Sequence, residues 1–283
     1  MSQHIEDSPV TFRLAVFGDP IEQSKSPQIH QMFAEQTGVQ ITYQKIKGEV
    51  GSFTDQLAEF FRHEDAMGVN VTMPFKEQAA AWADTRSISV EQASAANTLI
   101  KTSSGIIAET TDGKGLVSDL LRNNMHINGK TLLLIGAGGA ARGAISALLD
   151  ETPKHIYITN RSPANAQRLV DIANDKRVSS ISEGDCAKQT FDLIINATSL
   201  SLQGNVPNIP DAVFNTQPNV YDMVYQSEDT SFVRKAKSLG CNNAIDGLGM
   251  LVGQAAESFY LWFGLRPNPE PVLAMLRKEL SGS

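Results

Sequence analysis

Residues 131–144, TLLLIGAGGAARGA, constrain the fold more than any other stretch of this chain. The apolar run 131–135 reads as a buried strand, and a helical pattern over 139–149 follows at once. Between them stands Gly136-x-Gly138-x-x-Ala141. Gly136 permits a tight turn, and Gly138 lets backbone N–H groups approach a pyrophosphate. Ala141 allows close helix–strand packing, and the helix N-terminus favours phosphate charge. Gly139 and Ala140 complete the candidate cofactor loop. A glycine fingerprint alone also describes an ordinary tight turn, but its strand–turn–helix setting points to dinucleotide binding.

The end of the next strand, 156–159, bears on which dinucleotide. NAD sites usually carry a carboxylate there for the ribose 2′-hydroxyl. Here Asn160-Arg161-Ser162 stands instead, with no acid. Arg161 is suited to a 2′-phosphate, which a carboxylate would repel. An isolated arginine is ordinarily a surface residue; in this position the expected cofactor is NADP(H), with Asn160 and Ser162 beside the phosphate. Asn196-Ala197-Thr198 follows a further strand, 191–196, at the edge where open α/β sheets bind ligands, which makes Thr198 a candidate. This triplet and Asn70-Val71-Thr72 both match a glycosylation sequon, but without a secretory signal neither is expected to be modified.

Strand-like and helix-like runs alternate along the whole chain, the α/β signature. Strands are expected at 12–17, 41–46, 68–72 and 219–222, and a strand pair at 98–108 turned at residues 103–105. Helices are expected after Pro27 and at 53–61, 74–83, 163–172, 230–239, 249–263 and 270–280. Asp112 is expected to cap a helix reaching about Asn123. The predicted architecture is α/β: a Rossmann-type dinucleotide-binding unit over 112–246 and a second α/β unit over 1–111 completed by 247–283, with a cleft between them.

The net charge of −7 and the absence of clustered Lys and Arg exclude a general nucleic-acid surface. An anionic ligand would have to be held locally, by aimed hydroxyls, amides or single cations. Cys186 and Cys241 form no CxxC, and the five histidines (His4, His30, His63, His126, His155) form no metal-binding motif, so no metal is expected. The N-terminus is polar and acidic, and no apolar run approaches the roughly 18 residues of a membrane span. The expectation is a cytoplasmic chain, monomer or homodimer, with no membrane partner.

Three further segments carry candidate chemistry: GDPIEQSKSP (18–27), NVTMPFK (70–76), and AANT (95–98) with TTDG (110–113). Singly, Ser24 and Ser26 read equally as turn residues, Lys76 as a solvated lysine and Asp112 as a cap. Together and in order with IGAGGAARG, ITNRS, IINATS, YDMVY and DGLGMLVGQA, they resemble the shikimate dehydrogenase family over nearly the whole chain. The resemblance implies NADPH-dependent reduction of 3-dehydroshikimate to shikimate. It places the substrate carboxylate on Ser24 and Ser26, with Tyr225 nearby. The ring hydroxyls fall to Thr72, Lys76, Asn97, Asp112 and Gln254; Gly247 lies by the nicotinamide, and Met223 is a further cofactor-binding residue. The residue types suit that ligand, since a triol needs groups that both donate and accept.

The chain departs from the family pattern in three places. Thr110 replaces an asparagine, Asn165 stands where a second arginine is common, and Ser201-Leu202 lacks a common glycine. On this resemblance Lys76 is the expected proton donor and Asp112 its holder, the pair forming the catalytic set. A lysine ammonium is a ready acid and a poor base near neutral pH, so reduction should run easily there and alcohol oxidation should improve as pH rises. The alternative within the same superfamily is a quinate/shikimate dehydrogenase of broader substrate and cofactor use. A methylene-tetrahydrofolate-type dehydrogenase would not explain SKSP or the pairing of Asn97 with Asp112. A regulatory module that had lost catalysis would be expected to lack Lys76 or Asp112.

Overall fold

The computed structural model describes residues 10–282. The polar N-terminal segment, with His4, lies outside the described residues. Six strands, β1 (Thr11–Gly18), β2 (Gln40–Lys47), β3 (Ala66–Val71), β4 (Thr85–Arg86), β5 (Thr98–Thr102) and β6 (Gly105–Glu109), form one sheet. Its order is β2-β1-β3-β5-β6-β4. The β1–β2 and β1–β3 pairs are parallel, whereas β3–β5 and the β5–β6 hairpin are antiparallel. Helices α1 (Ser26–Thr37), α2 (Phe53–Phe61), α3 (Lys76–Trp82) and α4 (Ile88–Ala93) connect them. The core over this sheet is aromatic: Phe53 packs edge-on to Phe17 at 5.9 Å and stacks on Phe75 at 4.5 Å. Burying a side chain such as Phe75 contributes about 1.5–3 kcal/mol. It also anchors the residue just before Lys76.

The second sheet is wholly parallel. Its strands are β7 (Thr131–Ile135), β8 (His155–Thr159), β9 (Val178–Ser180), β10 (Leu193–Asn196), β11 (Asn219–Asp222) and β12 (Ala244–Asp246). They run in the order β12-β11-β10-β7-β8-β9. Helices α5 (Asp112–Arg122), α6 (Gly139–Asp150), α7 (Pro163–Ala173) and α8 (Ser231–Ser238) cover it. Strands such as Leu132–Leu134 are buried on both faces, as parallel sheets require. The order reverses between β7 and β10, which opens a crevice at their carboxyl ends.

The last helices, α9 (Leu248–Phe263) and α10 (Pro269–Leu280), pack on α1 through Ile29, Phe33, Leu248, Phe259, Val272 and Leu276. Helix α9 also crosses α5 at very short range. A Cβ on Gly115 would lie 2.5 Å from the Gln254 nitrogen, so only glycine fits there. That crossing brings Asp112 and Gln254 to one place.

Several local expectations need correction. Asp112 is not a cap: Thr111 occupies the cap position, and Asp112 is the first helical residue, with its carboxylate committed elsewhere. Helix α3 begins at Lys76 rather than Pro74, because a Phe75 N–H to Thr72 carbonyl turn precedes it. The short elements β4, α4, β9 and β12 had no counterpart in the sequence reading; with two to six residues each they leave no periodic signal.

Candidate active site

A cavity of about 330 Å³ opens between the two sheets. Ser24 enters it from the loop before α1 and Ser26 from the first residue of α1; Thr72 comes from the turn after β3 and Lys76 from the first residue of α3. Asn97 comes from just before β5, Asp112 from the start of α5, Tyr225 from beyond β11 and Gln254 from α9. Met223 and Gly247 line the same cavity from the second sheet's side.

At its centre the Lys76 Nζ lies 2.5 Å from Asp112 Oδ2. Both residues line the cavity, the Lys76 side chain 30% exposed and that of Asp112 only 14%. The other carboxylate oxygen, Oδ1, accepts from the Asn97 amide at 2.9 Å. Asn97 is itself locked: its Oδ1 accepts from the Thr111 backbone N–H at 2.8 Å and from the Thr98 hydroxyl at 3.0 Å. Its amide also faces Gln254 Oε1 at 3.1 Å. The result is a charge-assisted pair whose anion is fixed and whose cation is free to meet a ligand. At the other end of the cavity the Ser24 hydroxyl donates to that of Ser26 at 3.2 Å. Burial and the Asp246 charge push the Tyr225 phenol up, which keeps it a neutral donor.

Behind the cavity runs a polar layer that the sequence motifs did not disclose. The Asn70 amide donates toward the Asn97 carbonyl at 3.2 Å and the Ser258 hydroxyl at 3.1 Å. Its carbonyl oxygen accepts from the Tyr43 hydroxyl at 2.7 Å and faces His30 Nε2 at 3.1 Å. Asn70 lies two residues before Thr72 in the same motif, and Ser258 one helical turn after Gln254. Those spacings are the only sequence signals that could have found them.

The dinucleotide loop lies outside this cavity's lining, at the β7–β10 crevice. Gly136 has φ +109°, and a Cβ there would press on Thr198 Cγ2 at 3.1 Å. A Cβ on Gly138 or Gly139 would meet no protein atom within 4 Å, so the space above the α6 N-terminus is open, as a pyrophosphate needs. Ala140 follows in the first turn of α6. Thr198 is held by its neighbour Asn196, whose Oδ1 accepts the Thr198 hydroxyl at 2.7 Å and its N–H at 3.1 Å. Past β8, the Asn160 amide donates to the Ser162 carbonyl at 3.0 Å, and Arg161 is exposed between them. Gly247 passes so close to Met223 that a Cβ would sit 2.3 Å from its carbonyl oxygen.

Ser201, where a glycine is common, now has a structural account. Its buried hydroxyl donates to Asp222 Oδ2 at 2.6 Å, alongside Thr230 at 2.7 Å, while Asn196 serves Oδ1 at 3.0 Å. Asp222 thereby ties the loops after β10 and β11 together. Burial nevertheless outweighs these donors and raises its carboxyl above the usual range. Thr110 is buried beside Gly143 of α6, and Asn165 is exposed on α7.

The fold and the two juxtaposed half-sites define a class: a dinucleotide-dependent oxidoreductase of the two-sheet α/β kind. Models of three protein families match in succession: a shikimate dehydrogenase substrate binding domain over 16–99, a shikimate / quinate 5-dehydrogenase over 119–203 and a shikimate 5'-dehydrogenase C-terminal domain over 247–277. A shikimate dehydrogenase (NADP(+)) of Vibrio atlanticus is 47% identical over 95% of this chain and 97% of its own length. Among solved structures, an Ael1 enzyme from Pseudomonas putida superposes with TM-score 0.89 at 38% identity, covering 94% of this chain and 98% of that one. Shikimate 5-dehydrogenase from Thermus thermophilus, solved with NADP(H) and shikimate, gives 0.85 at 29% identity, covering 95% of this chain and 100% of that one. The chain belongs to the shikimate dehydrogenase family.

Proposed function

We propose that this chain reduces 3-dehydroshikimate to shikimate, reversibly and with NADPH. The observation that carries the reading is the Lys76–Asp112 pair set in a cavity walled by both sheets. Residues 10–111 with 247–282 serve as the substrate half and 112–246 as the cofactor half, continuing the division read from sequence. The hydroxyls of Ser24 and Ser26, with Tyr225, receive the substrate carboxylate; Thr72, Asn97 and Gln254 orient the ring hydroxyls. The cofactor's pyrophosphate fits the loop Gly136, Gly138, Gly139 and Ala140, its 2′-phosphate fits Asn160, Arg161 and Ser162, and its nicotinamide end fits Thr198, Met223 and Gly247.

Bound NADPH supplies the hydride. The substrate carbonyl oxygen, as it gains charge, takes a proton from Lys76 Nζ, and the resulting amine is reprotonated from solvent through its exposed face. Asp112, held by Asn97, keeps Nζ aimed through a charge-assisted hydrogen bond. As part of the same reading the protein works in the cytoplasm, as a monomer or homodimer. No helix among the described residues is long and apolar enough to cross a membrane.

The test is to mix the protein with shikimate or quinate, and NADP+ or NAD+, and follow reduced nicotinamide. Shikimate with NADP+ should give the fastest rate, rising from about pH 6 to about pH 10 because oxidation of the alcohol releases a proton that the site must accept. A flat pH profile would remove Lys76 from the reaction, and comparable turnover of quinate would favour the broader quinate/shikimate reading.

A further inference from the structure

Almost every arginine of this chain is engaged. Among the described residues each donates to a carboxylate or to a backbone carbonyl, with two exceptions, Arg161 and Arg168. Both exceptions fall at one corner of the molecule, the end of β8 and the second turn of α7. Exposed ion pairs stabilise a fold little, so an unpaired surface cation is ordinary by itself; what sets these two apart is that they are the only such arginines among the described residues and that they share one corner. The neighbouring carboxylate on α7, Asp171, accepts from the Gln167 amide at 2.9 Å instead of from Arg168.

The helix geometry says where Arg168 lies. Ala166 and Leu169 form the buried face of α7. Gln167 faces β9, where its Oε1 accepts from the Ser180 hydroxyl at 3.0 Å. Residues 165 and 168 lie on the opposite flank, one turn apart, because i and i+3 share a side of a helix. Side chains on a helix lean toward its N-terminus, so a long residue covers the surface of the turn before it. Arg168 therefore reaches back over the short, exposed Asn165, toward the Asn160–Ser162 corner. Its Cα stands about 7.5 Å along the axis from the first helical residue, within the span of an extended arginine.

We propose that Arg168 is a specificity-determining residue that supplies the second cation to the 2′-phosphate of NADP(H), acting from one turn further along α7 than Asn165. This rests on the NADP reading above, and extends it from one guanidinium to two. A phosphate dianion held by a single exposed arginine keeps an uncompensated charge, and two forked guanidiniums neutralise it while leaving the adenosine untouched. NAD(H), which lacks the phosphate, gains nothing from either side chain.

The experiment measures binding directly, by equilibrium titration of the wild type and of Arg168→Ala, Arg161→Ala and Arg168→Lys with NADP+, NAD+ and adenosine 2′,5′-bisphosphate. For an exposed but charge-assisted contact, Arg168→Ala should weaken NADP+ and the bisphosphate roughly tenfold. NAD+ affinity should not move, and Arg168→Lys should recover part of the loss. The NADP+ advantage of wild type should also shrink with added salt more steeply than that of Arg168→Ala. If Arg161→Ala weakens NADP+ and Arg168→Ala leaves it unchanged, Arg168 has no part and the two-cation site is overturned while NADP use stands. If the wild type binds NAD+ as tightly as NADP+ and neither arginine matters, the NADP reading itself fails.

Discussion

The two halves of the site are built from different materials. The loop proposed to hold the dinucleotide is a backbone device: a glycine at φ +109°, open space above the next two glycines and a helix N-terminus, all within a few consecutive residues. The substrate cavity is a side-chain device. Its groups come from the loop before α1 and the start of α1, the segment after β3, the residue before β5, α5, the loop after β11 and α9, and Lys76, Asn97, Asp112 and Gln254 are tied to one another by side-chain hydrogen bonds. A backbone cradle for a common cofactor part is set by local sequence. A pocket that must distinguish one polyol acid from another needs donors and acceptors aimed from many directions, and so depends on the whole fold.

If the halves are this distinct, damage to one should leave the other working. Lys76→Ala is the largest expected effect. Loss of a positioned proton donor should cut kcat by about 10²–10⁴ while NADPH binding, followed by fluorescence titration, stays near wild type. Near-normal turnover would take Lys76 out of the chemistry, and a parallel loss of NADPH affinity would break the separation of the halves. Gly136→Ala makes the mirror cut. An L residue at φ +109° with its Cβ against Thr198 costs about 1–3 kcal/mol of strain, released by distorting the loop. NADP+ affinity should fall roughly tenfold, while shikimate binding to the cofactor-free protein, read by calorimetry, persists. Unchanged NADP+ affinity would show that the loop does not hold the cofactor.

The same contrast explains what could be read in the sequence. The four inner strands of the second sheet (β7, β8, β10 and β11), the loop 136–141 and the Arg161 corner are local patterns, legible because strand, turn and helix signals are adjacent. Ser24, Lys76, Asn97 and Asp112 were nameable only through an ordered set of motifs resembling a family, since each has an ordinary surface or cap reading by itself. Asp112 shows the limit: the local rule makes it a cap, but the long-range partners Lys76 and Asn97 claim its carboxylate. The layer of His30, Tyr43, Asn70 and Ser258 was illegible, because its successive members are 13 to 188 residues apart and meet only when α9 returns to the first sheet.

That hidden layer carries the smallest and most selective difference between the halves. His30 is fully buried, stacked on Tyr43 at 4.6 Å, with Nδ1 unpartnered, and desolvation lowers its pKa from 6.5 to about 3, against the opposing effect of its Asn70 bond. In the unfolded chain the imidazole takes a proton near its ordinary value and in the fold it does not, so stability falls as pH drops from 6.5 toward 3. By pH 5 this amounts to roughly 2 kcal/mol, at 1.36 kcal/mol per unit. Asp222, in the cofactor half, has the opposite sign: its raised carboxyl takes a proton more readily folded than unfolded, so its contribution is present at low pH and lost as pH rises through its folded value. Mild acid should therefore loosen α1 and β3 before it loosens β10 and β11, an order that hydrogen exchange at about pH 7 and about pH 5 would read. His30→Phe keeps an aromatic ring in place and removes the titration, so its urea-unfolding free energy should drop less between those two pH values than the wild type's. Parallel drops in the two proteins would mean that His30 contributes nothing to acid sensitivity and that the substrate half is not the acid-weak one.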